Sequence, residues 1–173
     1  MRWHKTEIGG VLLHLSDEAS IRAGFETLRQ RATHSFPQAR LNGLLVQTMS
    51  QGHLEPVIGV QRDPVFGMIV MVGLGGILVE VLQDVAFRRA PFDVAEGARM
   101  LQELRMGALL DGVRGQPGVD RNAIARLLAT LSQWAAAMQP VLSELDLNPV
   151  LVGDAGPVAV DCMMVLRDLR SSN

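Results

Sequence analysis

The sequence has few of the residues that mark specialised classes of protein. Cys162 is the only cysteine among 173 residues, so an internal disulfide is impossible and a reducing cytoplasm is the expected compartment. Its place in the apolar run 158–166 favours a small buried hydrophobe over a nucleophile. The apolar runs are too short to span a bilayer, and residues 1–5 do not open a signal peptide.

An excess of charge of one sign is also lacking. Charged residues make up 20% of the chain, acids and bases are mixed along it, and the formal net charge is −2. Because a nucleic-acid surface requires a basic stripe, we expect neither nucleic acid nor a membrane among the partners. The 48% of apolar residues is a globular composition, and the length suits one domain with its own core.

Three segments with apolar residues at helical spacing predict helices. Ser16 is expected to cap the first helix, which ends near His34. Asp93 is expected to cap a second helix, through Leu104, and Asp120 a third, through about Met138. The inward faces are expected to contain Ile21, Phe25, Leu28 and Ala32, then Ala95, Ala98, Leu101 and Leu104, and finally Ile124, Leu127, Leu128, Leu131, Trp134 and Ala135.

Short apolar runs between these segments predict strands. The expected strands are 11–15, 44–49, 56–60, 68–73 and 77–82, with a short extended piece at 84–88. Two longer strands, 144–152 and 158–166, are joined by a glycine-containing turn. Strands, then helices, then a final hairpin favour an α+β fold with a largely antiparallel sheet and flanking helices.

Residues 61–88 contain the first candidate functional motif. The glycine-rich stretch 73–76 separates two apolar runs, and Arg62, Glu80, Asp84 and Arg88 lie around them. Glycines let backbone N–H groups approach phosphate oxygens, and carboxylates hold the accompanying divalent ion. From spacing alone, a β-hairpin with a glycine turn remains the simpler explanation.

The second candidate motif is the run Glu144-Leu145-Asp146-Leu147-Asn148-Pro149. Alternation along a strand puts Glu144, Asp146 and Asn148 on one face, and three oxygen-bearing side chains in a row suit Mg²⁺. Asp161, on the partner strand, is expected opposite or diagonal to that row. A solvated sheet face with an acid beside a turn is an equally good explanation.

Four segments together resemble the nucleotide-binding ATP-grasp domain of the ADP-forming acyl-CoA synthetases, the acetate–CoA ligase family. They are His-Lys-Thr-Glu-Ile-Gly-Gly-Val at 4–11, Val-Gln-Thr-Met at 46–49, residues 59–88, and 145–149 with Val-Asp at 160–161. Their order and spacing match the family from residue 4 to about residue 166. The resemblance implies an ATP-grasp fold and the reaction acyl-CoA + ADP + phosphate ⇌ carboxylic acid + CoA + ATP.

The resemblance also implies roles for single residues. His4 is similar to the histidine that carries the phosphoryl group, and a neutral imidazole is a suitable nucleophile near pH 7. The implied contacts of ATP or ADP are Gln47 and Met49 at the adenine, Gly75 and Gly76 near the phosphates, and Arg88 as a candidate phosphate contact. The implied Mg²⁺ ligands are Asn148 and Asp161, with Asp146 as a third candidate.

The chain departs from the family in one respect. The family's phosphate-gripping lysine belongs to a first subdomain segment that precedes the position of His4, whereas Lys5, the only lysine here, belongs to the histidine segment. We therefore expect residues 1–173 to form a single partial ATP-grasp domain, with CoA-binding domains or a CoA-binding subunit as partner. The alternative is a catalytically silent regulatory or interaction module that keeps the fold and forms a homodimer through exposed apolar surface.

Overall fold

A computed structural model describes residues 9–74, 84–112 and 117–167. The chain divides into two compact units, Met1–Met49 and Ser50–Asn173. Among the described residues, no helix is both long enough and apolar enough to cross a bilayer.

The first unit contains one helix, α1 (Glu18–Ser35), within its described residues. Asp17, rather than the expected Ser16, is the N-cap: its Oδ1 accepts a hydrogen bond from the Ser20 N–H at 2.7 Å. The Ser20 hydroxyl oxygen accepts in return from the Asp17 N–H at 3.2 Å. Hydrogen bonds from the Ser20 backbone and then the Ser20 side chain lower the pKa of the Asp17 carboxyl. The reciprocal bonds between Asp17 and Ser20 explain why the helix starts one residue later than expected.

The strands expected at 11–15 and 44–49 do not form. Both stretches lie outside regular secondary structure, and the described part of the first unit contains no strand that could supply ladder hydrogen bonds. Leu12 and Leu15 lie against Gly24 of α1 instead, since a Cβ built on that glycine would be 3.1–3.2 Å from their Cδ1 atoms. An apolar run without a partner strand therefore packs on the helix as a loop.

The second unit is an antiparallel sheet with two α-helices, which confirms the α+β prediction. Its elements are β1 (Pro56–Asp63), β2 (Gly67–Leu74), β3 (Val85–Arg89), α2 (Val94–Glu103), a 3₁₀ helix (Arg105–Asp111), α3 (Arg121–Ala137), β4 (Leu142–Leu147), β5 (Val150–Gly153), β6 (Gly156–Ala159) and β7 (Cys162–Leu166). The five-stranded sheet has the order β3-β2-β1-β4-β7, and β5 pairs with β6 in a separate hairpin.

The core lies between the sheet and helices α2 and α3. Asp93 and Asp120 cap these helices as predicted. Ile124, Leu128, Leu131 and Ala135 of α3 are buried, as expected, whereas Leu127 and Trp134 are half-buried. On α2 the expected inward Ala95 is exposed, and Gly97 and Met100 are buried, because α2 turns that face toward α3.

The two long closing strands are each interrupted. β4 pairs with β7, β5 pairs with β6 around the predicted turn, and residues 148–149 and 160–161 separate the two ladders. Pro149 has no N–H for a ladder, which explains the break. Between Leu142 and Glu144 the register with β7 shifts by a bulge at Ser143. Cys162 is exposed, against expectation, because β7 is an edge strand with most residues exposed.

Candidate functional site

The two faces of the five-stranded sheet differ in chemistry. Val60 and Leu145 lie opposite each other on β1 and β4 and are buried on the face that α2 and α3 cover. Their neighbours along each strand point to the other face of the sheet. On that face Gly59 pairs with Asp146, and Gln61 pairs with Glu144. The acids of β4 therefore lie on the face away from the core helices, as the alternation predicted.

Gly59 places no side chain beside Asp146, and the end of the Met71 side chain lies over this position. A Cβ built on Gly59 would lie 3.4 Å from Cε of Met71 and 3.8 Å from the Leu145 carbonyl oxygen, so the fold itself has room for alanine. A glycine within a strand often marks the close approach of a ligand or of another backbone. Sequence reasoning missed Gly59, although an isolated glycine inside the apolar run 56–60 was the available signal.

Asn148 and Asp161 lie immediately beyond the ladder of β4 and β7. Because Leu147 pairs with Cys162, continuing the register by one residue places Asn148 across from Asp161, on the side of Asp146. Both residues are exposed. The Asp161 Oδ1 atom accepts a hydrogen bond from the Cys162 N–H at 3.0 Å. The register therefore agrees with the position expected for Asp161 relative to the acidic row.

This donor set suits a hard divalent cation. Asp146 and Asp161 offer carboxylate oxygens and Asn148 an amide oxygen, which are the ligands that Mg²⁺ prefers. In residues 9–74, 84–112 and 117–167 no three His, Cys, Asp or Glu side chains cluster as a metal site. A bound ion would therefore take its remaining oxygens from water or phosphate, as Mg²⁺ does in nucleotide enzymes.

Arg88 lies on the helix-facing side of β3 and is held by two carboxylates of α2. Its Nε donates to Oε1 of Glu96 at 2.5 Å, and its Nη2 donates to Glu103. Hydrogen bonds to Glu103 and Glu96 raise the pKa of Arg88 above its usual range. A phosphate at Arg88 would have to compete with both glutamates, so this contact remains a prediction. Sequence reasoning missed the pair, although a spacing of seven residues puts Glu96 and Glu103 on one helix face.

Asp84 has a structural contact of its own. It is buried just before β3, and its Oδ1 accepts a hydrogen bond from the Arg105 N–H at 2.8 Å. Arg105 is the first residue of the 3₁₀ helix, so this carboxylate fixes the start of that helix.

The remaining candidates belong to the first unit or lie outside the described residues. Gln47 and Met49 belong to the first unit, are exposed, and lie in a stretch without regular secondary structure. The described residues do not include His4, Gly75, Gly76 or Glu80, nor the strand predicted at 77–82. The adenine, phosphate and phosphoryl-carrier assignments therefore stay predictions.

Comparison with known proteins bears on the fold and the family. The sequence profile of an ATP-grasp domain matches residues 2–166. Acetate–CoA ligase [ADP-forming] I of Archaeoglobus fulgidus is 42% identical over 95% of this chain, which spans 24% of that enzyme's length. The acetate–CoA ligase [ADP-forming] I subunit beta of Pyrococcus furiosus is 36% identical over 94% of the chain, which spans 70% of that subunit.

Solved structures give the same result. An acetyl-coenzyme A synthetase 1 from Ca. Korarchaeum cryptofilum, in complex with coenzyme A and Ca-AMPCP, superimposes with a TM-score of 0.87 at 35% identity. The alignment covers 94% of this chain and 70% of that one. Because the profile covers nearly the whole sequence, the chain belongs to the ATP-grasp domain family, together with the ADP-forming acetate–CoA ligases that it matches.

Proposed function

We propose that the chain is the ATP- and ADP-binding part of an ADP-forming acyl-CoA synthetase. The reaction of the whole enzyme is acyl-CoA + ADP + phosphate ⇌ carboxylic acid + CoA + ATP. The observation that carries this proposal is similarity over about 95% of the chain to ADP-forming acetate–CoA ligases. Since the chain spans 24% of the Archaeoglobus enzyme, CoA-binding domains or a CoA-binding subunit would form the acyl phosphate, and the cytoplasm is the proposed compartment.

His4 is the proposed phosphoryl carrier between the two halves of the reaction. Its neutral imidazole nitrogen attacks the phosphorus of the acyl phosphate, and the carboxylate leaves. A β-phosphate oxygen of ADP then takes the phosphoryl group, which gives ATP and regenerates the imidazole. A Ca. Korarchaeum cryptofilum structure with coenzyme A and Mg-AMPPCP, 34% identical to this chain, has a phosphohistidine segment that points towards its nucleotide binding site, which supports this role.

The proposed nucleotide site combines the remaining candidates. Gln47 and Met49 contact the adenine, and Gly75, Gly76 and Arg88 contact the phosphates. Asp146, Asn148 and Asp161 would hold Mg²⁺, which neutralises phosphate charge when bound. Gly59 adds no side chain of its own beside Asp146.

Calorimetric titration with ADP and ATP, with and without Mg²⁺, tests the binding half of the proposal. We expect Mg²⁺-dependent binding by the wild-type chain that is lost in Asp161→Ala. Asp154→Ala is the matched control, because Asp154 is a carboxylate whose side chain is 97% exposed in the β5–β6 turn. An absence of binding at millimolar nucleotide, or equal losses in both variants, would contradict the assignment.

The carrier role needs the complete reaction. A His4→Ala chain combined with the CoA-binding part of a related synthetase is expected to show no turnover, while nucleotide titration of the variant is unchanged. Turnover equal to that of the wild type would remove His4 from the mechanism.

One observation favours a second candidate function, an interaction module without catalysis. The first unit exposes large apolar side chains, among them Leu45 at 81% and Val46 at 67%. Such surface often marks a protein–protein contact, and a homodimer would cover it. Sedimentation of the purified chain tests this, since a monomer at all concentrations would contradict the homodimer.

A further inference from the structure

A small cleft lies at the turn between β1 and β2, at the far end of the sheet from Asn148 and Asp161. Its volume is about 250 Å³, and Arg62, residues 63–67, Arg89, Ala90 and Gln139 line it. Ile58 of β1 pairs with Leu147, whereas Arg62 lies four residues further along the strand, roughly 13 Å away. The cleft is therefore separate from the acidic face proposed for the nucleotide.

Arg62 places a charged donor in this cleft. The residue follows Ile58 and Val60 on the helix-facing side of β1, and its Nε donates to the Leu142 carbonyl oxygen at 3.2 Å. Its Nη2 atom is buried and has no hydrogen-bond partner among the described residues. A guanidinium stays protonated inside a protein, and a buried charged donor without an acceptor is costly. Nη2 itself is enclosed by protein, and the Arg62 guanidinium therefore has unused donor capacity at the edge of the cleft.

The other lining residues favour an anion as the acceptor. Asp63 directs its Oδ1 into the turn, where it accepts hydrogen bonds from the Val65 and Phe66 N–H groups at 2.8 Å each. Arg89 adds a second cation, and within the described parts of the chain neither Arg62 nor Arg89 forms an ion pair. The amide of Gln139 lies beside Gly67, where a built Cβ would be 3.5 Å from Oε1. The net charge of the cleft is therefore positive, since it has two cations, one carboxylate that is already hydrogen-bonded and one neutral amide.

We propose that this cleft binds a compact oxyanion, a phosphate or a carboxylate group, through the guanidinium of Arg62, with Arg89 and Gln139 at the rim. Guanidinium groups match the oxygen spacing of both anions. The volume is below the roughly 300–1,000 Å³ of pockets for larger ligands, which suits a single anionic group rather than a nucleotide. The group is either a free anion or the carboxylate of another molecule.

NMR of the arginine Nε–H groups in the full chain tests the proposal. Inorganic phosphate and acetate are titrated separately at constant ionic strength set with sodium chloride. We expect a saturable shift of the Arg62 signal with at least one of them, and the stronger of the two identifies the phosphate or carboxylate source. Arg62→Met, followed through the Arg89 Nε–H signal, is expected to weaken this binding by about tenfold, as the loss of one charge-assisted hydrogen bond predicts.

Two further variants keep the test decisive if Arg62→Met does not fold. Arg89→Met removes the second cation without touching the hydrogen bond to Leu142, and it is expected to weaken anion binding. Arg126→Met, which removes an exposed cation paired with Asp120 on α3, controls for net charge and should bind as the wild type does. The proposal would be overturned if chloride shifted the arginine signals as much as phosphate and acetate do, or if Arg89→Met bound the anions as tightly as the wild type. Water would then be the partner of Arg62. Neither result depends on nucleotide binding.

Discussion

Helices α1 and α3 begin with the same local chemistry but differ in what they bury. Asp17 and Asp120 each cap their helix through a side-chain oxygen, and backbone hydrogen bonds lower the pKa of both carboxyls. Yet α3 buries seven residues, whereas α1 buries only Gly24. A capping residue is enough to start a helix in either unit. The apolar face of the helix becomes part of a core only where another element packs against it.

The same difference extends to the two units as wholes. Every buried apolar side chain among the described residues belongs to the second unit, where α2, α3 and the sheet enclose it. In the first unit Phe25, on the predicted apolar face of α1, is 46% exposed. Three experiments break or sharpen this comparison.

The largest effect is expected from truncation of the core. Leu128 is fully buried in α3, so Leu128→Ala should reduce the free energy of unfolding by about 2–5 kcal/mol. Phe25→Ala in α1 removes a larger but half-exposed side chain and should cost about 0.5 kcal/mol. Urea unfolding followed by circular dichroism measures both, and equal losses would mean that the first unit has a core of its own.

A matched pair of glycines gives an intermediate effect. A Cβ on Gly97 would lie 2.7 Å from the Ala125 carbonyl oxygen of α3, and backbone cannot yield easily, so Gly97→Ala should cost about 1–3 kcal/mol. A Cβ on Gly24 meets only the side-chain tips of Leu12 and Leu15, and the gain in helix propensity of up to about 1 kcal/mol offsets the contact. In thermal unfolding, the melting temperature should therefore fall clearly in Gly97→Ala and change little in Gly24→Ala. Two equal shifts would show that α1 is packed as tightly as α2.

The smallest effect concerns acid stability. Hydrogen bonds from Arg88 and Arg99 lower the pKa of Glu96 in the folded state. The stabilisation is therefore present above the unfolded pKa of about 4.3 and is lost as the pH falls through the folded pKa. Glu96→Gln should reduce stability at pH 7 and flatten its decline in acid. Glu26→Gln, which removes the exposed partner of Arg29 in α1, is the control expected to change neither. An acid decline identical to wild type would contradict the role of Glu96.

The sequence predicted the fold best where the signals were local. The caps Asp93 and Asp120, the strand at 56–60 and the turn at 153–156 all form as expected because short-range patterns determine them. The predictions of strands at 11–15 and 44–49 were wrong. A strand needs a partner strand for its hydrogen bonds, and its own residues do not reveal whether one is present. The prediction that Cys162 is buried was wrong for a related reason: an apolar run does not show that it will form the edge strand of a sheet.

The candidate site shows the same difference between features set by local pattern and features set by tertiary contacts. Alternation along β4 correctly placed Glu144 and Asp146 on one face, and the strand register agrees with the position expected for Asp161. The ion pairs of Arg88 with Glu96 and Glu103 depend on how α2 crosses β3, which is a tertiary contact. The place of Gly59 beside Asp146 likewise depends on which strand pairs with β1.

The bulge at Ser143 constrains how this segment can change during evolution. The extra residue lets Leu142 and Leu145 both face the core, while Glu144 and Asp146 face away from it. Losing Ser143 would regularise the ladder and keep the acids in phase, whereas losing one residue between Glu144 and Asn148 would turn part of the row toward the helices. Alignments of related sequences should therefore tolerate a gap at Ser143 and place none within 144–148.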